Sequence, residues 1–592
     1  MYLENINEPK DVKKLNIDEM KVLAKEIREA VITRGAKHGG HFGPNLAIVE
    51  ATIALHYVFD SPKDKFVFDV SHQCYPHKML TGRRLAFTDE KHYDDVTGYS
   101  NQHESEHDHF ILGHTSTSVS LACGLVKARD VKGEEGNVVV VIGDGSLGGG
   151  EALEGINFAS ELKSNMIIIV NDNGMSIAKN HGGLYKNLQL LRETEGKAEC
   201  NFFKAMDLDY VFVKDGNDLE AMISTLKEVK DINHAVVVHI VTQKGKGFKP
   251  AELDRESWHY MGAFDIHTLK PLGYDENEPL KENYTAITAN YLLEKMKADK
   301  KVITINSGTP AAIGFGAKQR KEAGEQFIDV GIAEETAVAL ASGMAAKGIK
   351  SVYGVISTFV QRTYDQLSQD LCINNNPATI IVYYSGILGG GTDVTHLGWF
   401  DIPFMSNIPN LVYLAPTNKE EYLASLEWSI EQTEHPVAIR MPAGEVISSA
   451  KEYKKDFSKI NKYKLTQKGQ KLAILGLGSF YKLGEEVAAL YKEKTGEEAT
   501  LINPFYISGV DEELMEELKK DHSLVITIED GVLDGGFGEK ITRYFGSSDM
   551  KVLNYGLKKE FADRYNIEDM LKKNRLKADL IVEDILKTQN IK

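Results

Sequence analysis

NVVVVIGDG (137–145), ALEGINFASEL (152–162) and MIIIVNDN (166–173) follow one another in the chain, and the fold turns on how they are read. The outer two carry short, unbroken runs of Val and Ile, the composition of strands buried on both faces, while the middle one has apolar residues at helical spacing. Strand, helix and strand in that order make the parallel crossover unit. AVVVHIVT (235–242) continues the series, and the pattern restarts at KVITI (301–305) and KLAILGLG (471–478), each time after a polar segment. IHTLKPLGYDENEPLKEN (266–283) and EYKKDFSKINKYKLTQKGQ (452–470) read as the linkers between units, the second as a solvated segment despite its lysines. The expected architecture is α/β, with domains at 1–283, 284–448 and 449–592.

At 592 residues, 42% hydrophobic and 26% charged, the chain is long enough for several domains, each with its own core. A formal charge of -17 speaks against nucleic acid and anionic membrane surfaces as partners, since both need a basic face. No apolar run approaches the ~20 residues of a spanning helix, and the opening MYLENINEPKDVKK lacks the apolar core of a signal peptide. Cys74, Cys123, Cys200 and Cys372 are far apart and form no CxxC pair, which suits a reducing cytoplasm. Small molecules are the expected partners, and an anionic one needs local cations or a metal.

Ligands of open α/β sheets gather at the carboxyl ends of the strands, where Gly143, Asp144, Gly145 and Asn173 stand. Gly-Asp-Gly alone is a common turn. Followed 29 positions later by an Asn across a crossover unit, it brings a carboxylate and an amide oxygen to neighbouring strand ends. Hard oxygen ligands of that kind, completed by phosphate oxygens and water, suit Mg2+. The glycines let backbone N–H groups approach a diphosphate, and the helix that follows favours negative charge. Two other patterns are set aside. His103, His107 and His109 in QHESEHDHF are not expected to bind a metal, and Gly476 and Gly478 lack the third glycine of a dinucleotide fingerprint, Tyr481 standing in its place.

The Gly-Asp-Gly to Asn pattern resembles the thiamine-diphosphate signature. The likeness extends over nearly the whole chain to the transketolase superfamily, and within it to the 1-deoxy-D-xylulose-5-phosphate synthase family. It is carried by GGHF (39–42), DVSHQCYPHKMLTGRR (69–84), ESEHDHFILGHTSTS (104–118), NDNGMSI (171–177), KGKGF (244–248), IAEE (332–335), STFVQRTYDQ (357–366) and THLGWFD (395–401). This resemblance implies three doubly wound α/β domains of transketolase type, binding diphosphate, binding pyrimidine and C-terminal, with the cofactor bridging the first two, and a homodimer. It implies thiamine diphosphate and Mg2+ as cofactors, with Asp144, Asn173 and the backbone carbonyl of Met175 as metal ligands. Glu334 matches the acid that activates the pyrimidine, and Phe359 the ring that stacks on it. His41, His72, His114 and His396 match histidines lining the site, His41 as the proton shuttle, and Arg362 matches an arginine that holds the donor's carboxylate. Family members condense pyruvate with a phosphorylated aldehyde, a step of isoprenoid biosynthesis.

The acceptor half departs from the pattern. The family's acceptor phosphate is held by a tyrosine and two arginines, at positions that here read Ile356, Tyr384 and Ala443. Losing two charge-assisted contacts costs about 3 to 6 kcal/mol, roughly two to four decades in binding. The loop GGGTDVTH (389–396) has one residue more than its family counterpart, setting Asp393 one step nearer His396. In addition, the segment between Met175 and Phe202 is shorter, and Pro44 replaces a serine. The leading expectation is a transferase that decarboxylates pyruvate and passes the two-carbon unit to an aldehyde that need not carry a phosphate. The alternatives are ketol transfer from a ketose donor and, in another class, a non-catalytic cofactor-binding partner.

Overall fold

A computed structural model describes residues 1–274, 281–389, 391, 393–449 and 456–590. Parts of three sequence features lie outside the described residues: 275–280 of the first linker, 452–455 of the second, and Gly390 and Thr392 of the 389–396 loop. The chain forms two compact units, one of Met1–Pro279 with Gly331–Ala333, the other of Leu280–Val330 with Glu334–Lys592. No helix among the described residues is long and apolar enough to cross a membrane.

The first unit is built on a parallel sheet of β1 (Lys65–Phe68), β2 (Val138–Gly143), β3 (Met166–Asp172), β4 (Asp209–Val213) and β5 (Ala235–Val241), in the spatial order β1-β2-β3-β5-β4. The β-branched runs form these strands because both faces are covered. Val139, Val141, Ile167 and Ile169 join one core cluster, while Val138, Val140, Ile168 and Val170, one residue along, join another. Helix Gly150–Ala159 carries the chain from β2 back to β3. Gly143 pairs with Asn171, so the ends of β2 and β3 stand side by side.

The second unit holds two sheets. The first is parallel, with β6 (Val302–Asn306), β7 (Phe327–Asp329), β8 (Lys350–Ile356), β9 (Thr379–Tyr383), β10 (Val412–Leu414) and β11 (Val437–Arg440) in the order β10-β11-β9-β8-β6-β7. The second orders β12 (Lys464–Gln467), β13 (Lys471–Gly476), β14 (Thr500–Asn503), β15 (His522–Val532) and β16 (Lys551–Leu557) as β12-β14-β13-β15-β16, with β12 antiparallel to its neighbour. Ile380, Ile439 and Tyr413 of the first sheet and Leu475, Ile502 and Val525 of the second belong to one apolar cluster, which holds the two sheets in a single unit.

Candidate active site

The loop after β2 is fixed by its backbone: the Asp144 N–H donates to Asn171 O at 3.1 Å. A Cβ on Gly145 would lie 2.5 Å from Ser176 Cβ, so only glycine fits, whereas at Gly143 nothing stands within 4 Å and the approach is open. After β3 the three side chains of Asn171, Asp172 and Asn173 divide the work. Asn171 Oδ1 accepts from Thr242 Oγ1 at 2.5 Å, and Asp172 accepts from Arg192, from His239 Nε2 at 2.9 Å and from the Gly174 N–H at 3.1 Å. Burial alone would raise the Asp172 carboxyl, but His239 and Arg192 pull it below the usual carboxylate range. Asn173 Oδ1 is left buried with no hydrogen-bond partner among the described residues. Asp144, 1% exposed, accepts from Asn180 Nδ2 at 2.9 Å, and burial together with neighbouring Asp172 holds its carboxyl well above the ordinary range. A buried carboxylate and an orphaned amide oxygen on adjacent strand ends fit a hard divalent cation. Lys244 is buried beside this loop, donating to Ser176 O at 2.6 Å; burial brings its ammonium down to about 8 against the pull of Asp144.

His41 and His72 converge with a third histidine of the first unit. Rings of His41 and His72 lie 5.1 Å apart, and His259, which the sequence reading did not single out, packs 5.7 Å from His41 and 5.2 Å from His72. Nδ1 of His72 and of His259 is enclosed without a hydrogen-bond partner among the described residues, and burial keeps both rings well below the ordinary imidazole range and therefore neutral. Asn45, fully buried and also missed, ties the set together. Its Nδ2 donates to His41 O at 2.9 Å and to His72 O at 2.7 Å, and its Oδ1 accepts from Tyr75 N at 2.9 Å. The chain turns into His72 through Val70 and Ser71, both at positive φ (57° and 68°), an unusual conformation for a β-branched residue. His114 precedes a turn held by Asp69, which accepts from Ser116 N at 2.9 Å and Ser118 N at 3.1 Å; Ser116 Oγ in turn donates to Ser146 O in the loop after Asp144. Of the three histidines set aside, His107 bonds Ser61 Oγ at 2.8 Å, and Asp108 between them is bound by His77 and Arg83.

In the second unit, Glu334 opens the helix Glu334–Ala345 with 3% of its surface exposed. Among the described residues its Oε2 has no hydrogen-bond partner, and it lies 3.8 Å from Arg362 Nη1. Burial raises the carboxyl to about 7, the arginine opposing it, so the acid keeps a proton near neutrality. Phe359 meets His396 edge to face with centroids 5.7 Å apart. His396 Nδ1 is oriented by Asp393 Oδ1 at 3.0 Å and Thr395 Oγ1 at 2.9 Å. Against the effect of burial, those bonds bring the Asp393 carboxyl down to about 2.

None of the three acceptor positions presents a cation. Ile356 ends β8, Tyr384 donates its hydroxyl to Ala312 O at 3.0 Å, and Ala443 donates its N–H to Ser479 Oγ at 3.0 Å. The arginine three residues before Ala443, Arg440, is 4% exposed and committed to Asp401, at 2.7 Å from Nε, and to Asp530.

Three family profiles cover this chain: 1-deoxy-D-xylulose-5-phosphate synthase over residues 3–201 and 194–242, the pyrimidine-binding domain of transketolase over 281–447, and the transketolase C-terminal domain over 461–581. A 1-deoxy-D-xylulose-5-phosphate synthase of Lachnoclostridium phytofermentans is 36% identical over 100% of this chain and 99% of its own length. That of Listeria monocytogenes is 37% identical over 96% and 95%. Among solved structures, a transketolase from Campylobacter jejuni aligns with 97% of this chain and 100% of its own at 16% identity and a TM-score of 0.44.

Proposed function

The chain belongs to the 1-deoxy-D-xylulose-5-phosphate synthase family, and from that premise we propose that it decarboxylates pyruvate and passes the two-carbon unit to an aldehyde that need not carry a phosphate. It is a thiamine-diphosphate-dependent transferase that uses a divalent metal ion such as Mg2+. When bound, the cofactor supplies a nucleophilic carbon and an electron sink. In this reading Asp144, Asn173 and the Met175 carbonyl hold the metal, while Gly143, Gly145, His72, His114 and Lys244 receive the diphosphate. Phe359 offers its face to the pyrimidine, and Glu334, protonated near neutrality, hydrogen-bonds the ring nitrogen. Arg362 receives the carboxylate of pyruvate. His41 and His396 move protons at substrate oxygens, His396 in the orientation that Asp393 imposes. A cytoplasmic homodimer is part of the same reading, in keeping with four free cysteines, three of them buried.

What carries the acceptor assignment is the absence of any cation at Ile356, Tyr384 and Ala443, with Arg440 occupied by Asp401 and Asp530. Steady-state kinetics with glyceraldehyde and glyceraldehyde 3-phosphate test it. The two kcat/KM values are expected to agree within about tenfold, and Tyr384→Arg with Ala443→Arg to shift their ratio toward the phosphorylated aldehyde by about 100-fold. A parent enzyme that prefers the phosphorylated aldehyde by several decades refutes the assignment. Release of labelled carbon dioxide from pyruvate separates this reaction from ketol transfer.

A further inference from the structure

The two-residue strands Gly40–His41 and Tyr260–Met261 pair antiparallel, with His41 directly opposite Tyr260. Residues opposite one another in such a pair project from the same face, and here the two rings meet at 5.1 Å with their planes 69° apart. Glycine lets the strands close. At φ of 80° and 139°, Gly39 and Gly40 have no room for a Cβ, which would lie 2.9 Å from Met261 O and 2.8 Å from Tyr75 Oη respectively. Next to the pair, Phe42 and Trp258 pack edge to face at 5.6 Å, both buried, and the Phe42 N–H donates to His259 O at 3.2 Å. The backbone of Tyr260 is therefore held as firmly as that of His41, yet Tyr260 is left 59% exposed. An exposed phenol on a rigid ladder beside a proton shuttle is a surface for a ligand, since two side-chain torsions give a large contact area at little entropic cost. The other rings around His41 continue that surface. Tyr99 stands 5.7 Å away, and His72 and His259 are held neutral by burial. Lys244, whose charge reaches both imidazoles, donates to Ser176 O. The wall beside the shuttle is thus aromatic, with its two enclosed imidazoles neutral, and suits a ring better than a phosphate. We propose that Tyr260 is a specificity-determining residue that packs on the body of the acceptor, and that the acceptor is an aldehyde bearing an aromatic ring. With the aldehyde oxygen at His41, a substituent of a few carbons reaches the Tyr260 ring, where two rings pack offset or edge to face at about 4.5–7 Å between centroids.

This inference rests on the reading of His41 as the group that moves a proton at the acceptor's oxygen, and it is tested on a different pair of substrates from the phosphate assignment. Holoenzyme and pyruvate are assayed with propanal and with 3-phenylpropanal, which differ only by the phenyl group. The ratio of the two kcat/KM values is read, because it cancels any shared loss of folding, cofactor or His41 function. The parent should favour 3-phenylpropanal by about tenfold, Tyr260→Ala should bring the ratio near one, and Tyr260→Phe should keep it. A parent ratio near one overturns the proposal whatever the variants do. So does a ratio that Tyr260→Ala leaves intact, including the case in which both aldehydes slow alike, since the ring then only supports His41. An enzyme that favours glyceraldehyde 3-phosphate over glyceraldehyde by several decades, yet shows the Tyr260-dependent ratio, loses the phosphate-free assignment and keeps Tyr260 as a wall of the acceptor site. Similar kinetics with the two glyceraldehydes and no such ratio leave that assignment standing and remove the aromatic acceptor.

Discussion

Replacing Glu334 by Gln should make the cofactor-free protein more stable and the enzyme nearly inactive. The carboxyl is buried with one oxygen unpartnered among the described residues, and its titration lies at about 7 against an ordinary 4.5. At 1.36 kcal/mol per pH unit, holding the anion in that place costs the native state about 3 kcal/mol. Below pH 4.5 both folded and unfolded chains keep the proton, and parent and variant do not differ on this account. Between 4.5 and 7 the unfolded chain ionises first, so the parent loses stability as pH rises, and above 7 the whole penalty is present. An amide of the same shape does not titrate. Denaturant unfolding at pH 8, followed through Trp399 and Trp428 of the second unit, should show Glu334→Gln ahead by about 3 kcal/mol, and at pH 5 by less than about 1 kcal/mol. Turnover should fall by about 10² to 10⁴, the contribution of a positioned proton donor. The competing possibility is that Arg362, 3.8 Å away, already stabilises the carboxylate as an ion pair. If the variant is less stable than the parent, and more so at pH 8 than at pH 5, Glu334 is a paired anion and the account of a strained acid is wrong.

How much of this was legible beforehand depended on whether the physics is local. The ends of β2 and β3 were readable because strands buried on both faces must be continuous apolar runs, and because a glycine pair flanks Asp144; Gly143 indeed pairs with Asn171. Polar segments mark three stretches of sequence, but side chains such as Val525 and Ile380 share one cluster, and no linear pattern shows which faces of two sheets meet. Glu334 was found by likeness to a family motif, since an acidic residue at a helix start is ordinarily solvated and its burial is a tertiary property. His259 and Asn45 lay beyond reach for the same reason: one sits in SWHYMG and the other in GPNLA, and nothing in either stretch announces that a loop more than 200 residues away brings its imidazole to His41. Lys244 was visible as part of KGKGF, while its burial beside Asp144 was not.

Two more substitutions probe the first unit. Asp144→Asn keeps the shape of the loop and removes the charge, so Mg2+-dependent binding of thiamine diphosphate, measured calorimetrically, should weaken by about 100-fold; unchanged binding would take Asp144 out of the metal site. Asn45→Ala removes three hydrogen bonds of 2.7 to 2.9 Å and leaves two carbonyls and an N–H unpaired in the core. A stability loss of about 3 to 5 kcal/mol follows from the burial alone. The more telling effect is on geometry, because Asn45 binds the backbone of both His41 and His72, whose rings are 5.1 Å apart. Misplacing a catalytic group by about 1 Å costs on the order of 100-fold in rate. At a temperature where the variant is fully folded by circular dichroism, kcat should therefore fall by about 100-fold while KM for pyruvate changes little, since Asn45 touches neither substrate nor cofactor in this reading. Asn45→Asp, which keeps the acceptor for the Tyr75 N–H but loses both donors, should share the kcat defect while recovering part of the stability. If Asn45→Asp restores kcat along with stability, the residue only supports the fold, and the two histidines are held in place by something else.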